Sequence, residues 1–410
     1  MKPTGIERVN RVLDRLPRDT FHLGARTVPA FRSIGILGFH LAVLAAVLTA
    51  IRTGVPVLEA IGLSATAGAS FFAFGLLRRA LTGREILVLL EHVWVALGSV
   101  ALYLWAAGGP VLPGLDVLAV ALCVFLAAGR VGCVIGGCCH GHPAPIGPVY
   151  PAAGLPERLH GVRLFPVQLV ESVGLLGIGA VGFVLAGSRP GTATVWVLAT
   201  YATVRFGVEA LRGDRRPSVA GVSVPRVMAV MQLLAAVVAS EVWLVPDGPG
   251  RRHLAAAVPL AAVLVAGFLL DRRRHDPLAA WAHLDEVWST IRTLARSAAG
   301  EQPVVATTSR GLHLAASWSD AGLHVSLSHP SRPVDGLPHA LGLVPLARTA
   351  TATHVVVPAA RVGPAPEPAG PDRQSDPAGA ARTHELPNRL AVSGVLSNPG
   401  GGYFGAAPST

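Results

Sequence analysis

In the stretch RVGCVIGGCCHGHP, residues 130–143, one arginine, three cysteines and two histidines follow directly on an apolar run. Side chains of these types grip anions, present thiolates and ligate soft metals. Arg130 suits a phosphate, because a guanidinium makes two parallel bonds and keeps its charge when desolvated. Cys133, Cys138, Cys139, His140 and His142 offer sulfur and nitrogen ligands. Their spacing lacks the two separated pairs usual in a tetrahedral zinc site. The expectation is therefore that the cysteines line the site as small polar groups and that no metal is bound. The glycines among them let backbone approach a headgroup or a neighbouring helix closely.

Other polar residues lie within apolar runs, where an arginine or an acid costs about 2.5–3.5 kcal/mol at helix depth. Glu91 and His92 lie in one such run, Gln168 and Glu171 in another. Tyr201, Arg205 and Glu209 recur every four residues, which puts them on one helix face, and Arg212 extends that stripe by a three-residue step. A simple ion pair would account for Arg205 and Glu209 alone. It leaves Tyr201, Arg212 and Arg130 without a reason. Two arginines sharing one depth need an anion between them, so the stripe and the quoted stretch are expected to form one anion site. Glu209 would orient Arg205 from behind. His92 is a candidate general base, its ordinary pKa lying near neutrality; a buried histidine bonded to a carbonyl is the plainer account.

The elements that position these residues are long and apolar. Charged residues make up 14% of the 410-residue chain, against about 25% in ordinary soluble domains. Eight stretches approach the roughly 20 residues that cross a bilayer: about 34–51, 55–77, 86–108, 114–129, 164–187, 192–211, 222–245 and 253–271. Alternating ten-residue strands are absent, so the fold expected is an all-α integral membrane protein, a polytopic bundle of seven to eight transmembrane helices with a C-terminal soluble tail. The net charge of +10 rests on arginine, Lys2 being the sole lysine. The basic residues cluster in the gaps between apolar runs, which points to lipid headgroups and away from nucleic acid. Four cysteines within a short segment are not a disulfide scaffold, and no cleavable signal peptide is legible in the arginine-rich first 32 residues.

The expected division is a basic N-terminal segment (1–32), a membrane domain (33–271), an amphipathic helix on the membrane surface (272–300), a small β-containing domain (301–360) and a disordered tail (361–410). Trp281, Leu284, Val287, Trp288, Ile291 and Leu294 give the amphipathic spacing. The runs LHLAASWSD, LHVSLSH and THVVVPA suggest strands, and Pro, Gly, Ala and Ser dominate the tail.

Three motifs in order carry a resemblance. GRVGCVIGGCCHGHP, LFPVQLVES (164–172) and YATVRFGVEALRGD (201–214) resemble the signature, the His-Pro-x-Gln-Leu-x-Glu segment and the Tyr-x3-Arg-Phe-x2-Glu-x2-Arg run of prolipoprotein diacylglyceryl transferases. The resemblance implies an integral membrane transferase. It would move a diacylglyceryl group from phosphatidylglycerol to the lipobox cysteine thiol of a prolipoprotein, forming a thioether and releasing glycerol 1-phosphate. It implies that Arg130 and Arg205 are the two essential arginines, with Tyr201 and Glu209 as companions of Arg205 and Gly141 as the closing glycine. Cys133 stands where the family has asparagine and Cys138 where it has an acid. The family's His-Gly-Gly on the third helix is missing, His92 being followed by Val93 and Trp94.

The expected catalytic set is thus Arg130, Arg205, His92, Glu209 and Tyr201. The expected substrate-binding set is Gly132, Cys133, Cys138, Gly141, Gln168, Glu171 and Arg212, with no cofactor. Partners implied are phosphatidylglycerol, a prolipoprotein signal peptide and the lipid bilayer, with no nucleic acid, in a multi-pass plasma-membrane protein. Basic flanks put Arg130 on the cytoplasmic side if all eight spans cross; the resemblance implies the outer side. Two further functions fit the same residues: an anionic-lipid binding or transport protein without turnover, and a membrane thiol or metal sensor built on Cys133, Cys138 and Cys139.

Overall fold

A computed structural model describes residues 4–24, 26–83, 89–216, 218–219, 222–244, 265, 276–298, 303–349 and 352–365. Most of the stretch at 253–271 and the tail beyond 365 lie outside the described residues. The chain divides into two compact units, Met1–Trp281 and Ala282–Thr410.

The first unit opens with the short helix α1 (Gly5–Leu13), held at its start by a capping box in which Thr4 and Glu7 satisfy each other's backbone N–H groups. A hairpin of β1 (Thr20–Leu23) and β2 (Arg26–Pro29) leads into the first long helix. Seven apolar helices follow: α2 (Ala30–Thr53), α3 (Val57–Thr82), α4 (Leu89–Ala106), α5 (Val111–Ile135), α6 (Val167–Leu185), α7 (Thr192–Glu209) and α8 (Val224–Leu244). They coincide with the first seven apolar stretches, and two short paired strands, β3 (Ser218–Val219) and β4 (Val222–Ser223), lie between α7 and α8. Five of them, α2, α3, α5, α6 and α8, are long and apolar enough to cross a membrane. At about 1.5 Å per residue, the 25 residues of α5 reach beyond a hydrocarbon core of about 30 Å. Leu58, Leu81, Trp105, Val173 and Val242 stand exposed on these helices. Water would penalise such a surface, and lipid would not.

Helix α5 is the hub, packing on α2, α4, α6 and α7. Asp116, fully buried in its first half, accepts the N–H groups of Gly191 and Thr194 and the Thr194 hydroxyl, each at 2.7 Å. A carboxylate at the start of α7 satisfies donors that have no partner within the helix and complements the helix dipole. This clamp sets the depth of α7 against α5. The connection 136–166 between α5 and α6 folds on its own small core of Tyr150, Leu159, Val162 and Leu164. The N-terminal helix braces it. Asn10 Nδ2 donates to Pro145 O and Asn10 Oδ1 accepts from Gly147 N, while Asp14 takes two bonds from Arg163, at 2.8 and 2.9 Å.

In the second unit, five antiparallel strands form a sheet in the order β5-β6-β7-β9-β8. They are β5 (Val304–Thr307), β6 (His313–Ser319), β7 (Gly322–Ser328), β8 (Pro345–Arg348) and β9 (Ala352–Val357). The three β-like runs fall in β6, β7 and β9. The amphipathic helix α9 (Trp281–Ser297) buries Leu284, Val287, Trp288, Ile291 and Leu294. Trp318 of β6 donates its indole N–H to Ala295 O, and His283 bonds Thr308. The face expected to lie on lipid is covered by protein of its own unit. Amphipathic spacing reports that a face is buried, not what buries it.

Candidate functional site

The polar residues of α5, α6 and α7 meet at one carboxylate. Glu171 is fully buried. Its Oε1 lies 2.9 Å from Arg130 NH2, accepts the Tyr201 hydroxyl at 2.9 Å, and sits 3.8 Å from Arg205 Nε. Its Oε2 lies 3.7 Å from Arg212 NH1. The helical registers explain the meeting: Tyr201 and Arg205 share a face of α7 one turn apart, and Glu171 on α6 faces both. Arg205 NH1 lies 2.9 Å from Glu209 Oε2, an ion pair out of hydrogen-bond alignment. Beyond the helix end, Arg212 and Arg216 both hold Asp214, each at 3.0 Å. Four arginines therefore face three carboxylates, Glu171, Glu209 and Asp214.

Arg130, Arg205, Arg212, Glu171 and Glu209 are buried, so little solvent screens the charges they exert on one another. Arg130 Nε is buried without a hydrogen-bond partner, as is Gln168 Oε1. Buried donors are ordinarily satisfied, so an N–H of a buried guanidinium left over is room for one more acceptor. Gln168 meanwhile donates to Cys138 O at 2.7 Å and to Tyr150 Oη at 3.2 Å, tying the start of α6 to the cysteine turn.

The turn after α5 is built around close backbone approaches. Gly141 N donates to Phe165 O, His142 N to Leu211 O, and Gly213 N to His140 O. A Cβ on Gly141 would lie 2.7 Å from Phe165 O and 2.8 Å from Leu211 O. Only glycine fits where these segments cross, which joins the quoted stretch to the end of α7. Cys139 has φ +60, the one left-handed residue other than glycine among those described. An L-residue adopts that conformation at a cost of about 1–2 kcal/mol. Here it swings Cys139 back, so that the sulfur atoms of Cys133, Cys138 and Cys139 all lie within 4.8 Å of one another. The spacing raised such a cluster only as the sensor alternative and spoke against a tetrahedral metal site.

The three thiols share their protons unevenly. Hydrogen bonds from Cys133 and Cys138, helped by the Arg212 and Arg130 charges, hold the Cys139 thiol well below the usual thiol range. Hydrogen bonds to Cys133 and Cys139, with burial, push Cys138 up. His140 is held below the ordinary histidine value by burial, which favours the neutral ring.

Of the expected catalytic set, Arg130, Arg205 and Tyr201 meet at Glu171, and Glu209 joins through Arg205. His92 packs against α3. It is buried, with the rings of Phe71 and Phe74 on α3 at 4.7 and 4.9 Å. Of the expected binding set, Glu171 turns out to be the anion that separates Arg130 from Arg205. Gln168 and Cys138 are joined by a hydrogen bond, Cys133 belongs to the sulfur cluster, Gly141 fixes the turn, and Gly132 faces Phe31. Asp214, Arg216, Tyr150 and Gly213 were missed. The run RGDRR (212–216) carries the signal for the first two.

Residues 93–242 match the family model of prolipoprotein diacylglyceryl transferase. The chain is 31% identical over 113 residues to phosphatidylglycerol–prolipoprotein diacylglyceryl transferase 2 of Clostridium perfringens, covering 27% of this chain and 43% of that protein. It is 27% identical over 143 residues to the phosphatidylglycerol–prolipoprotein diacylglyceryl transferase of Clostridium tetani, covering 33% of this chain and 57% of that one. The chain thus spans about half the length of these curated relatives. The matched segment contains every residue of the Glu171 cluster.

Proposed function

We propose that the Glu171 cluster receives the phosphate of phosphatidylglycerol, and that the protein transfers the diacylglyceryl group to the cysteine thiol of a prolipoprotein. The observation that carries this reading is the convergence of Arg130, Arg205 and Arg212 on one buried acid, with an Arg130 N–H left over. Charge concentrates on the departing phosphate as its ester bond to the glyceryl carbon breaks. Guanidinium groups already fixed by Glu171, Glu209 and Asp214 would stabilise that charge without reorganising, and such stabilisation is usually the largest single catalytic contribution. Tyr201 would hold Glu171 in the orientation that aims Arg130. The enzyme would work in the plasma membrane as a bundle of seven to eight spans, with lipid reaching the site from the bilayer and the signal peptide as its second partner.

The test is the purified full chain in vesicles of phosphatidylglycerol with a lipobox peptide, read as thioether-linked peptide and released glycerol phosphate. Arg130→Lys keeps the charge and loses the fork, and is expected to lose most of the turnover. A lysine variant with near-normal turnover overturns the assignment of Arg130. Phosphatidylglycerol bound but never consumed would make the protein a binder of anionic lipid.

A further inference from the structure

The three sulfur atoms at the end of α5 and in the turn after it have no role in that scheme, and the scheme assigns no group to take the acceptor thiol's proton. The expected base, His92, packs against two phenylalanine rings of α3. We infer that Cys133, Cys138 and Cys139 bind one zinc ion, and that its fourth position takes the acceptor thiol. The inference rests on the transferase reading for the identity of that fourth ligand, but not for the metal.

The geometry supports it on several counts. Zinc–sulfur bonds of about 2.3 Å at tetrahedral angles set sulfurs about 3.8 Å apart, and these three lie within 4.8 Å of one another. The cluster draws on two pieces of structure with different constraints. Cys133 is fixed in the last turn of α5, three residues from Arg130 and on the same side of the helix. Cys139 reaches it only through a left-handed backbone, which the segments packed around the turn hold in place. Gln168 pins Cys138 O. All three cysteines are half-buried, open enough for an ion and a thiol to enter, while Cys123 is buried on α5. Among the described residues no fourth histidine, cysteine or carboxylate joins the group. Three protein ligands with an open position are the arrangement of a zinc site that does chemistry; four closed ligands mark one that only holds structure. Three thiolates and a dication sum to one negative charge, equal and opposite to the surplus of one arginine over the three carboxylates.

The chemistry follows. A thiol that coordinates zinc gives up its proton to water and binds as thiolate. Its sulfur then attacks the glyceryl carbon that bears the phosphate ester. The sulfur–carbon bond forms as the carbon–oxygen bond breaks, and the electron pair leaves on the phosphate oxygen held by the arginines. The thioether, a weaker ligand, departs and frees the fourth position. No redox step and no protein base are needed.

The experiment uses the full chain, tag-free, purified in detergent without chelator and without lipid or peptide. Elemental analysis should give about one zinc per chain, and cobalt(II) in its place should show the intense sulfur-to-metal charge-transfer band of a thiolate site. Cys138→Ser and Cys133→Ser, checked by elution and melting for an intact fold, should bring the metal to background. Cys123→Ala should keep it. Addition of a lipobox peptide should shift the cobalt spectrum, and its Cys→Ser analogue should not. Metal-free native protein that neither takes up zinc nor yields the cobalt band overturns the site, as does zinc retained by both serine variants. A site present but blind to the peptide thiol overturns the activation step. Zinc bound with no transfer from phosphatidylglycerol leaves the site standing and removes the transferase reading; transfer at full rate by zinc-stripped protein leaves that reading standing and overturns the activation step.

Discussion

Glu171→Gln is the substitution that the structure makes most consequential. The side chain keeps its shape and loses one charge. Arg130, at 2.9 Å, loses its ionic partner, and Arg205 and Arg212 lose the carboxylate that separates them from it. Glu171 and the three guanidinium groups are all buried. Removing one partner of a buried pair costs about 3–5 kcal/mol, because the remaining charge has no compensation. The Tyr201 hydroxyl can still bond an amide oxygen, so that bond adds little. With about 2–4 °C of melting temperature per kcal/mol in a domain of this size, the expected fall is roughly 6–20 °C. The assay is thermal unfolding of the full chain in micelles, followed by tryptophan fluorescence. Ser172→Ala is the control one residue on, removing a single hydrogen bond to Ala127 O at about 1 kcal/mol. Combining Glu171→Gln with Arg130→Gln should cost less than the sum of the two, since the double variant has removed both members of the closest pair. A Glu171→Gln protein destabilised by less than about 0.5 kcal/mol, the scatter of ordinary surface changes, would refute the reasoning. So would strict additivity.

Gly141→Ala should disrupt the turn and abolish activity, its new Cβ falling 2.7 Å from Phe165 O, whereas Gly129→Ala, with nothing within 4 Å, should leave melting and turnover near normal. Asp116→Ala removes three bonds to a buried carboxylate at the start of α7; a loss of about 2–3 kcal/mol in unfolding free energy is expected, and an unchanged melting temperature would show that α7 is positioned by packing alone. Truncation after His275 removes the second unit, which has its own buried core and sheet. Such a protein should retain lipid turnover, and a stably inserted but inactive truncation would give the second unit a part in the reaction.

Hydropathy and helical period were enough to lay out the first unit. Seven of the eight apolar stretches match α2 to α8 because a backbone in lipid must satisfy its hydrogen bonds internally, leaving the helix as the local solution for any long apolar run. The four-residue recurrence of Tyr201, Arg205 and Glu209 likewise fixed their common face, since side-chain direction on a helix follows from residue number alone. What that face meets was not legible. Glu171 lies 41 positions from Arg130 and 34 from Arg205 in the chain. Only the packing of α6 between α5 and α7 makes it the carboxylate all three arginines share. The amphipathic pattern of α9 announced a buried face, and only the sheet of the second unit decided that protein covers it. Asn10 and Asp14 belong to the stretch expected only as a basic N-terminal segment, yet they clamp the connection 136–166. The cysteines mark the limit most sharply. Their spacing argues against a common site as long as the backbone between them is taken as regular. One left-handed residue, Cys139 at φ +60, reverses the chain and gathers the three sulfurs. Such a conformation is held by the segments packed around it, Phe165, Leu211 and Gln168, and not by the residue's own preference.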